Sequence, residues 1–289
     1  MDSLNPSISN YLLNKLPQLN PIIETKAIRG GDISSCFKIS STDFSIFLKV
    51  NSAKHSKMFQ LEAEALHFLD SKSNFKIPKV LDQGSTSDFS FLVLEFLNLR
   101  NNNLNFQGLG KCLADLHRNT SDSMGFENDN FIATLKQNNR PCADWVEFYI
   151  SNRLEFQFKI SYDQAVFNHQ DFNDFNSFCL KLGELIPKEK PALLHGDFWS
   201  GNYAQDEIGN HVIYDPAIYY GHREMDLAMM KLFGGFENVV FEEYQQNFPL
   251  EGNFAERIPI HQLYPILVHV NLFGGNYSQQ ARSIWKNFI

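Results

Sequence analysis

The chain has 289 residues, 43% of them hydrophobic and 20% charged, enough to bury a sizeable core in one large domain or two unequal lobes. A formal net charge of −8 argues against non-specific nucleic-acid binding and suits cationic small molecules. No apolar run reaches the ~20 residues that span a bilayer, and residues 1–20 lack the basic start, apolar stretch and cleavage site of a secretory signal. The four cysteines, Cys36, Cys112, Cys142 and Cys179, have no C-x-x-C spacing, which argues against a zinc ribbon or a redox pair and points to the reducing cytoplasm.

In chain order, Arg29-Gly30-Gly31-Asp32-Ile33-Ser34 reads as a turn between two strand-like stretches, where Gly30 and Gly31 let backbone N–H groups approach phosphates. From Phe44 to Val50 the pattern alternates: Phe44, Ile46, Leu48 and Val50 share one face and Lys49 lies on the other. Ser56 to Asp70 has helical periodicity. A lysine that pairs with ATP phosphates needs a carboxylate to hold it. Glu62 falls in the middle of the apolar stripe of Met58, Ala65, Leu66 and Leu69, whereas Glu64 falls to its side. A charge on a buried face is costly unless paired, so Glu62 is the expected partner of Lys49.

The apolar strand from Phe89 ends in Glu95-Phe96-Leu97, where backbone groups can read adenine. Asn101-Asn102-Asn103 belongs to a linker, which divides an ATP-binding lobe (1–97) from a catalytic and substrate-binding lobe (98–289) in which helical patterns dominate.

The strongest signal is His195-Gly196-Asp197-Phe198-Trp199-Ser200-Gly201-Asn202, followed by Val212-Ile213-Tyr214-Asp215-Pro216. Phosphoryl transfer needs one carboxylate to orient and deprotonate the attacking hydroxyl, and hard oxygen ligands for magnesium. Asp197 suits the first role, Asn202 and Asp215 the second. His195 reads as a structural brace, Tyr219 and Phe233 as core. Asp226, at the start of a helix, either caps that helix or braces the catalytic loop. Trp199, two residues after the proposed base, is expected to wall the acceptor pocket.

These residues are familiar. The run from Pro191 to Phe236, with its Trp-Ser-Gly-Asn loop and Asp-Pro-Ala-x-Tyr-Tyr-Gly-His-x-Glu stretch, resembles the fructosamine (ketosamine) kinase family. So do Phe47–Asn51, Leu92–Leu97, Asp129–Ile132, Asp144-Trp145 and Asn271–Gly275. The resemblance implies an α+β, two-lobed protein-kinase-like fold of the aminoglycoside-phosphotransferase type, with a small antiparallel-sheet lobe and a larger, mostly helical one. It also implies ATP and Mg2+ as cofactors and transfer to the sugar 3-hydroxyl of a ketosamine, free or protein-bound, whose phosphorylated form sheds its amine. Asp32 stands where some members carry a cysteine, and Val268-His269-Val270 replaces a more usual Asn-His, keeping His269 as a substrate-side candidate. The rivals are a kinase of the same fold acting on an aminoglycoside or choline, told apart by Trp199 and Gly221-His222-Arg223-Glu224, and a nucleotide-binding pseudokinase scaffold.

Overall fold

The computed structural model describes residues 4–28 and 33–289, so the turn carrying Gly30, Gly31 and Asp32 lies outside the described residues. The chain divides into two compact units, residues 1–104 with 203–216, and residues 105–202 with 217–289.

In the first unit, helix α1 (Pro6–Lys15) precedes strands β1 (Glu24–Ile28), β2 (Ser35–Ser40) and β3 (Ser45–Ser52). Helix α2 (Ser56–Lys72) and strands β4 (Val80–Ser85) and β5 (Phe89–Glu95) follow. The five strands form one antiparallel sheet in the order β1-β2-β3-β5-β4. The alternation of β3 decides its faces. Ile46, Leu48 and Val50 pack with Ile8, Leu12, Leu16 and Leu19 of the N-terminal segment, while Lys49, paired across the sheet with Cys36 and Leu92, points the other way.

The sequence placed residues 98–289 in one lobe. The hairpin Tyr203–Gln205 and His211–Ile213 instead belongs to the first unit, because its backbone bonds to Lys76 and Arg100. Lys76 N–H donates to the His211 carbonyl at 2.8 Å, and Arg100 exchanges backbone hydrogen bonds with Gln205 at 2.7 and 3.1 Å. Local patterning sees the hairpin but not these long-range bridges.

The second unit holds α3 (Leu109–His117), α4 (Trp145–Tyr149), α5 (Glu155–Asp163), α6 (His169–Leu185), α7 (Glu224–Leu232), α8 (Asn238–Asn247), α9 (Phe254–Phe273) and α10 (Tyr277–Lys286). A π-helical turn, Ile150–Leu154, joins α4 to α5. Aromatic rings fill the core: Phe158 stacks on Phe175 with centroids 4.2 Å apart, and Trp285 meets Phe167 edge-on at 5.2 Å. A two-stranded ladder, Ala192–Leu194 with Tyr219–Gly221, carries the His195–Asp197 turn at one end. Among the described residues no helix is long and apolar enough to cross a membrane.

A buried polar clamp anchors α7. Arg257 on α9 grips the fully buried Glu224 through Nε (2.9 Å) and Nη2, and His261 Nε2 lies 3.2 Å from the same carboxylate. Arg223 makes a two-pronged pair with Glu189, both bonds 2.8 Å. Burial alone would raise the Glu224 carboxyl, but His261 and Arg257 outweigh it and hold it at about 2, below the ordinary 4.5. A folded-state value below the unfolded one stabilises fully above about 4.5 and is lost as the pH falls toward 2. Replacing Glu224 by Gln, which strands the Arg257 guanidinium, should cost about 3–5 kcal/mol at pH 7. In urea titrations the gap between wild type and E224Q should narrow below pH 4.5; a gap independent of pH would show that the clamp does not carry the charge ascribed to it.

Candidate active site

The first unit contributes a charged triad. Lys49 Nζ donates to Glu62 Oε1 at 2.6 Å and to Asp215 Oδ1 at 2.8 Å. Glu64 turns outward and accepts from Gln60 at 2.8 Å. Burial would push the Lys49 ammonium down, but Asp215 and Glu62 hold it above its ordinary value. Two carboxylates therefore share one ammonium, and the surplus negative charge sits toward Asp215, whose side chain is 44% exposed against 13% for Glu62. Asp215 also adopts a left-handed backbone (φ 58°), rare for a residue other than glycine, which marks a constrained position. Beside the triad, burial pushes the Cys36 thiol up to about 11.

Glu95 ends β5 and is tied down on both sides. Its N–H donates to the Lys79 carbonyl, and its Oε1 accepts from Lys79 N–H, each at 2.9 Å. Just beyond, Lys38 Nζ sits 4.5 Å over the Phe96 ring. Phe96 and Leu97 lie past the last ladder pair of β5, and no backbone hydrogen bond is recorded for either among the described residues.

The second unit holds the turn expected to be catalytic. His195 and Gly196 N–H groups both donate to Asp226, at 2.8 Å to Oδ2 and 3.0 Å to Oδ1. His117 Nε2 stands 3.2 Å from Oδ2, and its Nδ1 bonds the Tyr244 hydroxyl at 2.8 Å. Of the two readings of Asp226, the geometry is that of a brace on the loop. Gly196 has φ +82°, and a Cβ there would lie 2.1 Å from the Ala217 carbonyl oxygen, so only glycine fits. His195 is fully buried and its Nδ1 accepts from Asp197 N–H at 3.3 Å, which is a structural part. Asn202 Nδ2 donates to Asp197 Oδ2 at 2.9 Å and to the Asp197 carbonyl at 3.0 Å, orienting the carboxylate. The recorded bonds of Asn202 run through its nitrogens, which leaves its amide oxygen for another partner.

Asp197 opens on a small cleft lined also by Ile132, Met225, Met229, Val268 and His269. His269 Nδ1 meets the Pro265 carbonyl at 2.8 Å, so Nδ1 carries the ring proton and Nε2 is an acceptor. Burial lowers the His269 pKa, with the Pro265 carbonyl opposing, so the ring is neutral near pH 7. Trp199 is half-buried, its six-membered ring against Gly201 and edge-on to Phe233 at 5.6 Å.

One expectation needs correction. Phe233 is not a core residue, being 38% exposed beside Trp199. His222, Arg223 and Glu224 do not line the cleft. They are buried in the clamp, so they can distinguish acceptors only through the position of α7. The sequence analysis gave no role to a supporting layer, although Asn130 and Arg153 lie in stretches that resemble the family. Tyr264 donates to Gln137 Oε1 at 2.7 Å, Gln137 Nε2 to the Ala217 carbonyl at 3.1 Å, and Asn130 Nδ2 to the Ile218 carbonyl at 2.8 Å. Arg153, fully buried, places its guanidinium 4.0 Å from the Tyr219 ring centre.

A fructosamine kinase family model matches residues 4–289. An Enterococcus faecium protein described as a probable ketoamine kinase is 35% identical over 261 residues, covering 90% of this chain and 93% of its own. A Haemophilus somnus crystal structure described as a fructosamine-3-kinase superposes with a TM-score of 0.87 at 25% identity, covering 98% and 96% of the two chains. The aminoglycoside phosphotransferase APH(4)-Ia, in a ternary complex with AMP-PNP and hygromycin B, superposes at 0.65 with 16% identity over 98% of each chain, a likeness of fold alone. The sheet of the first unit and the helices of the second are those of a kinase-like α+β fold, and the chain belongs to the fructosamine kinase family.

Proposed function

We propose that this kinase moves the γ-phosphoryl group of ATP onto the 3-hydroxyl of a ketosamine, with Asp197 accepting the hydroxyl proton. The observation that carries the reading is the turn itself, in which Asp226 clamps two successive N–H groups and Asn202 aims the Asp197 carboxylate. Lys49, held by Glu62, is assigned to the phosphates, and the undescribed Gly30-Gly31 turn to the same groups. Glu95 sets the strand end from which the Phe96 and Leu97 backbone meets adenine. Asp215 and Asn202 would hold magnesium. The fit rests on the surplus negative charge at Asp215 and the uncommitted amide oxygen of Asn202, both hard oxygen donors. Magnesium, when bound, neutralises charge on the phosphates.

On the acceptor side, Trp199 and His269 are assigned to the sugar-amine substrate, the indole to the C–H face of the sugar and Nε2 of His269 to a hydroxyl or ammonium hydrogen. Four unpaired thiols suit a cytoplasmic setting. The product, a 3-phosphorylated ketosamine, is of the kind that releases its amine, so the activity serves deglycation.

Incubation with ATP, magnesium and a panel of ketosamines, aminoglycosides and choline, followed by product mass, tests the substrate assignment; preference for choline or an aminoglycoside over every ketosamine would overturn it. Asp197→Asn should keep ATP binding and lose ~10²–10⁴-fold in turnover, since an amide cannot take the proton. A variant with half the activity would remove Asp197 from the role. Lys49→Met and Glu62→Gln should be non-additive in nucleotide affinity, with a coupling of about 1–3 kcal/mol, because each strands the other's charge. Additive losses would mean that the contact does not matter to nucleotide binding. Trp199→Ala should impair ketosamine turnover with ATP affinity and Tm little changed; a large drop in Tm would mean that the indole is structural.

A further inference from the structure

The sequence contains Leu-Phe-Gly-Gly twice, at residues 232–235 and 272–275. Both copies sit at helix ends. Leu232 closes α7 and Phe233 is its cap, while Phe273 is the last residue of α9. All four glycines have positive φ, from 65° to 92°, so each helix stops abruptly after its phenylalanine and no further turn covers the ring. The two rings converge on one residue. His269 lies 5.0 Å from Phe233 and 5.4 Å from Phe273, and Tyr277, the first residue of α10, adds a third ring at 4.9 Å. Phe233 and Phe273 are 38% and 57% exposed.

Two large aromatic side chains, Phe233 and Phe273, thus lie open around one histidine, with the half-buried Tyr277 beside them, an apolar patch of the kind that marks a binding surface. This row is continuous with the acceptor cleft, because His269 lines it together with Asp197, and Phe233 meets Trp199. The Gly234-Gly235 turn also touches the catalytic loop, for a Cβ on Gly235 would lie 2.6 Å from Ser200 Cβ.

We infer that Phe233, Phe273 and Tyr277 form a specificity-determining shelf for the substituent on the ketosamine nitrogen, favouring an extended alkyl or aryl chain over a short carboxylate-bearing one. The inference rests on the ketosamine kinase reading above. In a ketosamine the amine is on C1 and the accepting hydroxyl on C3, so a substrate with its hydroxyl at Asp197 has its amine within a side chain's length of His269. Anything attached to that nitrogen must leave the cleft along the row. Ring faces attract the ammonium and cover an apolar chain. Among the described residues no lysine or arginine lines the cleft, and Lys231, the cation of α7, is spent on the Phe241 ring at 3.6 Å. A carboxylate next to the amine would therefore meet no counter-charge and would face an acidic protein.

The test compares 1-amino-1-deoxyfructose with its N-propyl, N-hexyl and N-carboxymethyl derivatives, using the full chain with ATP and magnesium. In the wild type, kcat/KM should rise about tenfold from the bare amine to N-hexyl, mainly through KM, and the N-carboxymethyl compound should fall below N-propyl. Phe273→Ser, at an exposed position, should flatten the N-alkyl series, and Phe273→Tyr should keep it steep. A wild type indifferent to chain length, or a serine variant with the wild-type slope, overturns the shelf while leaving the kinase reading intact. Failure to phosphorylate any of the four compounds, with an aminoglycoside or choline accepted instead, removes the reading and the shelf together.

Discussion

A fully buried carboxylate is tolerable only when its charge is shared among donors, and Asp226 shares its charge with the turn that carries the proposed base. The N–H groups of His195 and Gly196 and the ring of His117 surround it, and His117 is held in turn by Tyr244 from α8. The arrangement works in both directions. The turn neutralises Asp226, and Asp226 forces two successive N–H groups to face one point, which is why residue 196 must be left-handed. Removing the carboxylate would leave two buried donors unmet, so the conformation of the turn and the charge of the brace stand or fall together. The clamp on Glu224 matters for the same reason: it fixes the start of α7 two residues before Asp226.

The Lys49 triad solves a different problem. Asp226 is saturated with donors and stays inside, whereas the triad is short of one positive charge and its less buried member, Asp215, is the one left wanting. A saturated carboxylate builds structure; an unsaturated one recruits a cation. The two aspartates differ in how many donors the fold delivers to them and in how deeply it buries them.

That difference marks the limit of what could be read from the residues alone. The choice of Glu62 over Glu64 was legible because helical phase alone separates a buried from an exposed position two residues apart on one helix. The spacing from Asp197 to Asn202 was legible because one turn of chain brings them into contact. What escaped depends on distant segments. The 203–216 hairpin joins the first unit through backbone bonds to Lys76 and Arg100, and Phe233 is exposed because two glycines end its helix just after it, not because of its own hydrophobicity. The brace formed by Asp226 needed the fold to decide it, since a cap and a brace have the same sequence signature.

The histidines show how protonation geometry separates structure from function. His222, Glu224 and His261 have the composition of a metal site, with ligand atoms within 4.8 Å of one another. The hydrogen bonds argue otherwise. His222 Nδ1 accepts the Glu224 N–H at 3.3 Å, which puts the ring proton on Nε2, the atom a metal would need as a lone-pair donor. Burial and the neighbouring His261 push the His222 pKa down to about 4, so the ring stays neutral near pH 7 with that proton in place. Both Glu224 oxygens already bond to Arg257, whose positive charge repels a cation from the same spot. His269 is arranged in the opposite sense. Its Nδ1 proton goes to the Pro265 carbonyl, leaving the Nε2 lone pair unprotonated on a ring that lines the cleft with Asp197. One buried pair of rings stacks beside the Glu224–Arg257 pair that ties α7 to α9, and the ring near the end of the same helix presents an acceptor to the cleft.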